Sequence, residues 1–163
     1  MDTAIRSVDQ RDWVAVTAIF NHFVVNSLAA YPEEPVAADF FAKKHSATPD
    51  YPFLVAEAGG TIIGFAYLLP FHPIPTMKRS GVLTYFIHPD HTGKGLGSLF
   101  LDHLTEAGRR LGVTNFLVHI SSANESSIRF HLGHGFSECG CFLKVGEKAG
   151  TIFDMVWMQR IEG

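Results

Sequence analysis

Residues 92–98, Thr-Gly-Lys-Gly-Leu-Gly-Ser, set Gly93, Gly95 and Gly97 at alternate positions, between an apolar run at 81–88 and a segment of helical periodicity. A strand that passes through glycines into a helix N-terminus makes a site for an anion. Unpaired backbone N–H groups and the positive end of the helix dipole point the same way there. Spacing excludes two familiar phosphate loops. A P-loop needs serine or threonine after its Gly-Lys, but Lys94 precedes Gly95; a dinucleotide fingerprint needs a third glycine where this chain has Ser98 or Phe100. From these residues alone the stretch is either an anion cradle or a flexible turn that binds nothing.

Other reactive side chains are dispersed. His131 falls in a short helical segment and reads either as an acid near neutrality or as a histidine packed on its neighbours. Glu33 and Glu34 lie in the proline-bounded stretch 27–35, where a charge pair is ordinarily solvated. Cys139 and Cys141 are too close for an ordinary disulfide and lack a second pair to complete a zinc site, so they read as reduced thiols in a strand. His88, His91 and His103 complete no recognisable ligand spacing, and no metal is expected.

The elements that must position these residues follow from periodicity. Residues 3–8 read as a strand, with Asp9 as N-cap of a helix whose apolar positions are Trp13, Val16, Ile19, Phe20 and Phe23. A second short helix is expected over 36–45. Two apolar runs joined at Gly59-Gly60 within 52–71 read as a tight antiparallel hairpin. The strand at 81–88 feeds the glycines and then a helix with Leu99, Phe100, His103, Leu104, Ala107 and Leu111 on one face, stopped by Gly112. A strand at 115–120, a helix capped by Asn124 and a closing hairpin complete the order β α α β β β α β α β β. Glu125 and Arg129 have the spacing of a solvent-facing ion pair. The fold class is α/β (α+β): a mixed, mostly antiparallel sheet of about seven strands with helices on both faces and one parallel pair from the 82–120 crossover.

The chain has 163 residues, 47% of them hydrophobic and 18% charged, which suits one compact domain over 1–163. Its net charge is −3 and its basic residues do not cluster, so nucleic acid is not an expected partner. No signal peptide pattern and no apolar run near the roughly 20 residues of a membrane span is present, so a cytoplasmic protein without a membrane partner is expected.

The blocks "NHFVVNS" (21–27), "EEP" (33–35), "PFHP" (70–73), "YFIHPDHTGKGLGS" (85–98), "NESSIRFHLGHGF" (124–136) and "FDMVWMQR" (153–160) occur in an order that resembles the GNAT superfamily of N-acetyltransferases. The likeness is strongest to its phosphinothricin and L-amino-acid N-acetyltransferase branch. Thr92 stands where that superfamily's signature ordinarily has glutamine or arginine. The resemblance implies an acetyl-CoA-dependent N-acetyltransferase acting on a small amine, and a homodimer. A non-catalytic acyl-CoA-binding module, or an acetyltransferase for a protein amine, remains open beside it.

The resemblance also implies roles. The strand before the glycines carries a bulge and splays from its neighbour; backbone groups of Tyr85, Phe86 and Ile87 meet the pantetheine arm, with Ile87 N–H as oxyanion donor. Amides of Gly93, Lys94, Gly95, Leu96, Gly97 and Ser98 hold the pyrophosphate, and Asn124 contacts the arm. Direct transfer needs a neutral amine, a stabilised oxyanion and a protonated thiolate, and no covalent enzyme intermediate. His131 is then the acid and Glu34 the amine ligand or proton relay. His72, Met77 and Val82 replace the arginine, tyrosine and glutamate of phosphinothricin enzymes. That implies a less polar amine, with Tyr31, Phe71 and Met77 as pocket walls.

Overall fold

The computed structural model describes residues 2–163. β1 (Thr3–Ser7) passes through a 3-10 turn into α1 (Trp13–Asn26), followed by α2 (Phe40–Ala47), β2 (Phe53–Ala58), β3 (Thr61–Pro70) and β4 (Ser80–Ile87). The chain continues through α3 (Leu96–Arg110), β5 (Asn115–Ser121), α4 (Glu125–Gly133), β6 (Ser137–Lys148) and β7 (Thr151–Ile161). This is the expected order. The seven strands form one sheet, β1-β2-β3-β4-β5-β7-β6, antiparallel at every junction except β4–β5.

Local chemistry sets the element ends. Asp9 caps the first turn in a capping box with Asp12, and Arg6 reaches across to hold both the buried Asp12 and Glu57 of β2. Gly59 and Gly60 both have positive φ, 56° and 79°, as a two-residue hairpin turn requires. Lys148, buried at the end of β6, donates from Nζ to the carbonyls of Val24, Ser27 and Ala30 at 2.6–2.8 Å. It thereby closes the C-terminus of α1 and pins the loop that follows.

One apolar layer joins Phe100, Leu101 and Leu104 of α3 to Leu68, Phe116 and Met158 of the sheet. The other joins Val16, Phe20 and Val24 of α1 and Phe41 of α2 to Phe53 and Phe65. Two expectations need correction. The second helix begins at Phe40, not 36, because Asn21 of α1 bonds both the N–H and the carbonyl of Val36 and holds it outside the helix. The buried face of α3 is Leu96, Phe100, Leu101, Leu104, Thr105 and Gly108; Leu99 and Leu111 are exposed, as is His103.

Gly108 explains that rotation. A Cβ there would stand 2.7 Å from the Phe116 ring and 3.0 Å from Leu68, so the missing side chain is what lets α3 lie against β3 and β5. Gly108→Ala should therefore destabilise the fold by roughly 1–2 kcal/mol, although alanine is worth about 1 kcal/mol more than glycine in an unencumbered helix. Thermal unfolding measures the sign; a raised melting temperature would contradict this packing.

Candidate active site

β4 and β5 run side by side but pair only at Ser80↔Asn115, Gly81↔Phe116 and Val82↔Leu117. Beyond Val82 they part. On its other edge β4 keeps an unbroken antiparallel register with β3, from Pro70↔Gly81 to Gly64↔Ile87. His88 N–H donates to Ile63 and Phe71 N–H to Ser80, which fixes the alternation: Thr84 and Phe86 bond to β3, while the backbone groups of Tyr85 and Ile87 turn toward the gap. Two expectations change. β4 carries no register shift against β3, so alternation and splay free the Ile87 N–H without a bulge. The Phe86 backbone faces β3, and its ring packs against Phe20 and Phe23 of α1.

At the end of β4 lies the glycine stretch. Gly93 and Gly95 have φ of 72° and 80°, the left-handed region, and a Cβ at either would meet nothing. Their conformation, not crowding, calls for glycine. Gly95 is the N-cap of α3 and makes no side-chain cap bond, which leaves the amides of Leu96, Gly97 and Ser98 free at the positive end of a 15-residue helix. Gly97 admits the Phe130 ring of α4 at 3.2 Å. Thr92 Oγ1 and Lys94 Nζ donate to the carbonyls of Pro89 and Asp90, and Ser98 Oγ bonds His134. The donors offered to an anion here are therefore backbone amides.

α4 covers the same side of the gap. Asn124 caps it by accepting from Ser127 N–H, and Arg129 pairs with Glu125 on the solvent side. His131 is 1% exposed, stacked on Tyr85 with ring centroids 5.5 Å apart. Its Nδ1 donates to the Ser127 carbonyl at 2.7 Å, so Nε2 carries the lone pair that accepts from the Tyr85 hydroxyl. Burial lowers the imidazole from its ordinary 6.5 to about 4 and pushes the Tyr85 phenol far up. In this arrangement the one proton of a neutral His131 is bonded to a carbonyl rather than offered to the gap. The pair is a clasp between β4 and the segment that follows β5, placed beyond the point where the two strands stop pairing.

The opposite face of the gap is aromatic. Tyr31 stacks on His119 of β5 and on Phe153 of β7, and its hydroxyl lies 3.2 Å from His119 Nδ1. Trp157 lies 4.9 Å from His119, and the exposed Phe71 meets it edge-on. Burial, with Lys44 nearby, lowers the His119 pKa, so this imidazole is neutral at pH 7 and can accept a proton. Val82 is the last paired residue below. Tyr31 and Phe71 are thus linked through the rings of His119 and Trp157. His72 and Met77 are exposed, and His72 Nδ1 accepts from Ile74 N–H within its own turn. Glu34 is exposed, while Glu33 accepts from Ala149 N–H.

Sequence reasoning missed His119. Period-2 alternation places it opposite Phe116, Val118 and Ile120 of the core, and that was the available signal. Among the described residues no group of three or more His, Cys, Asp or Glu side chains is disposed to hold a metal.

An open strand edge running from a helix-terminal anion cradle to an aromatic face is the architecture of acyltransferases that draw a thioester between two strands. The Acetyltransferase (GNAT) family model matches residues 16–136, and the chain belongs to that family. It is an N-acetyltransferase with acetyl-CoA as acyl donor. It is similar to an L-methionine sulfoximine/L-methionine sulfone acetyltransferase of Salmonella typhimurium, 32% identical over 95% of this chain and 92% of that protein. A Salmonella typhimurium acetyltransferase solved with acetyl-CoA superposes at TM-score 0.92, 31% identical over 99% of this chain and 94% of the other. A phosphinothricin acetyltransferase from Sinorhizobium meliloti, also solved with acetyl-CoA, gives TM-score 0.92 and 30% identity over 100% of this chain and 90% of that one.

The clasp makes a pH prediction. Between about pH 4 and 6.5 the unfolded chain binds a proton at His131 that the folded chain refuses. Stability from this group is therefore full above pH 6.5 and lost as pH falls toward 4, a loss of about 3 kcal/mol. Urea unfolding at pH 7 and pH 4 should show the wild type losing about that much more than His131→Gln; equal losses would refute a buried neutral imidazole.

Proposed function

We propose that the acceptor is the primary amine of a small, amino-acid-like molecule, and that the acetyl group passes to it directly. The observation that carries this reading is the gap itself. It joins the amide cradle on one side to the face of Tyr31, Phe71, His119 and Trp157 on the other. Acetyl-CoA supplies an activated acyl carbon. The amides of Gly93 to Ser98 bind its pyrophosphate, the backbone of Tyr85 and Ile87 pairs with its pantetheine arm, and Asn124 lies beside that arm. The Ile87 N–H faces the oxygen on which charge develops.

Attack by a neutral amine puts the extra proton on nitrogen. His119, kept neutral by burial, takes that proton with Tyr31 orienting its ring, and the thiolate, whose conjugate acid lies near the roughly 8.5 of a free thiol, leaves and takes its proton from water. The exposed Glu34 draws the cationic amine toward the face and relays its first proton to water, so that the amine that attacks is neutral. Cys139 and Cys141, free and exposed on the edge strand β6, take no part.

The whole chain acts as one catalytic domain in the cytoplasm. The homodimer forms over the terminal hairpin, which exposes Phe142, Leu143, Val145 and Ile152 on an edge. No helix is long and apolar enough to cross a membrane among the described residues.

Release of CoA thiol, followed with a thiol reagent against a panel of small amines and a peptide N-terminus, tests the assignment. Turnover is expected on small amines. Tight acetyl-CoA binding with no turnover, or turnover of the peptide alone, would overturn it. In the same assay His119→Gln should lower kcat at least tenfold with the acetyl-CoA KM unchanged, while Glu34→Gln acts mainly on the acceptor KM.

A further inference from the structure

A cavity of about 640 Å³ lies between α2 and the end of β3, walled by Phe40, Leu69 and Pro70. Leu69 pairs with Val82, the last residue of β4 before the gap, so the cavity stands one strand away from the acceptor face. Lys44 projects into it. Its Nζ lies 5.4 Å from the Phe40 ring centroid and 5.9 Å from that of Tyr67, and it forms no hydrogen bond or ion pair with any described residue. The neighbouring cavity residue Lys43 is already paired with Asp39 at 2.7 Å. Lys44 is thus the one unneutralised cation in the cavity, and a half-buried ammonium without an anion is a costly arrangement. Its charge reaches His119, since it disfavours protonation there.

We propose that Lys44 binds the carboxylate of an amino-acid acceptor, placing the acceptor's α-amine toward His119 and the gap. This rests on the small-amine reading above and narrows it to amino acids. The replacement of an arginine by His72 implied a less polar acceptor. Lys44 supplies the missing cation from a different element, while His72 is occupied in its own turn. The apolar walls leave room for an uncharged side chain.

Matched substrates separate this from a merely structural lysine. L-Methionine sulfone and 3-(methylsulfonyl)propylamine differ only in the carboxylate, as do L-phenylalanine and 2-phenylethylamine. The wild type should favour the amino acid at least tenfold in kcat/KM in one pair or both. Lys44→Met should raise the amino-acid KM at least tenfold while the decarboxylated amine and acetyl-CoA change less than twofold, and Lys44→Arg should retain the preference. An unchanged amino-acid KM in Lys44→Met, or equal losses on both members of a pair, would overturn the assignment. Wild-type turnover of the amines without preference for the carboxylate would overturn it and leave the small-amine reading standing. Turnover of none of the four would overturn both.

Discussion

Everything this molecule does depends on two parallel strands that pair for three residues and then separate. A parallel pair in the middle of a sheet normally satisfies its backbone along its whole length, since unpaired interior N–H and C=O groups are costly. β4 and β5 forgo that beyond Val82 and Leu117, and the edge left open on β4 is a template for the amide groups of a ligand. The cost is offset on both sides. β4 keeps full pairing to β3, and β5 pairs with β7 from Asn115 to Ser121, so each branch is rigid although the two are parted.

Because the opening passes through the sheet, its two faces carry different chemistry. Toward α3 and α4 it meets free backbone amides and the buried His131–Tyr85 pair. Toward α1 and α2 it meets Tyr31, His119 and Trp157, where a proton can be moved. A histidine lies on each face, and their roles follow from the second ring nitrogen's partner. At His131 a carbonyl holds the only proton; at His119 a hydroxyl, which can donate or accept, leaves the imidazole able to take one.

The sequence was most legible where chemistry is local. The glycine cradle, the N-caps Asp9 and Asn124, the Gly59-Gly60 hairpin and the whole order of elements depend on neighbours within a few residues. The face of α3 was misjudged because hydrophobicity favours Leu99 and Leu111, whereas the helix sits on Thr105 and the small Gly108; close approach buries what is small as well as what is apolar. The start of α2 was misplaced because Asn21, a helix and a loop away, claims the backbone of Val36. Lys44 and His119 were illegible as functional residues for the same reason. Each gains its meaning from groups far along the chain, and neither belongs to a motif. His131 was found by its motif, but a motif does not report which nitrogen carries the proton.

Lys148 carries a consequence for how the molecule comes into being. The three carbonyls it holds belong to residues 24–30, immediately before Tyr31, yet the ammonium arrives more than a hundred residues later in synthesis. The wall that carries Tyr31 is therefore complete only once the last hairpin has docked, since both Lys148, which pins the loop, and Phe153, on which Tyr31 stacks, belong to it.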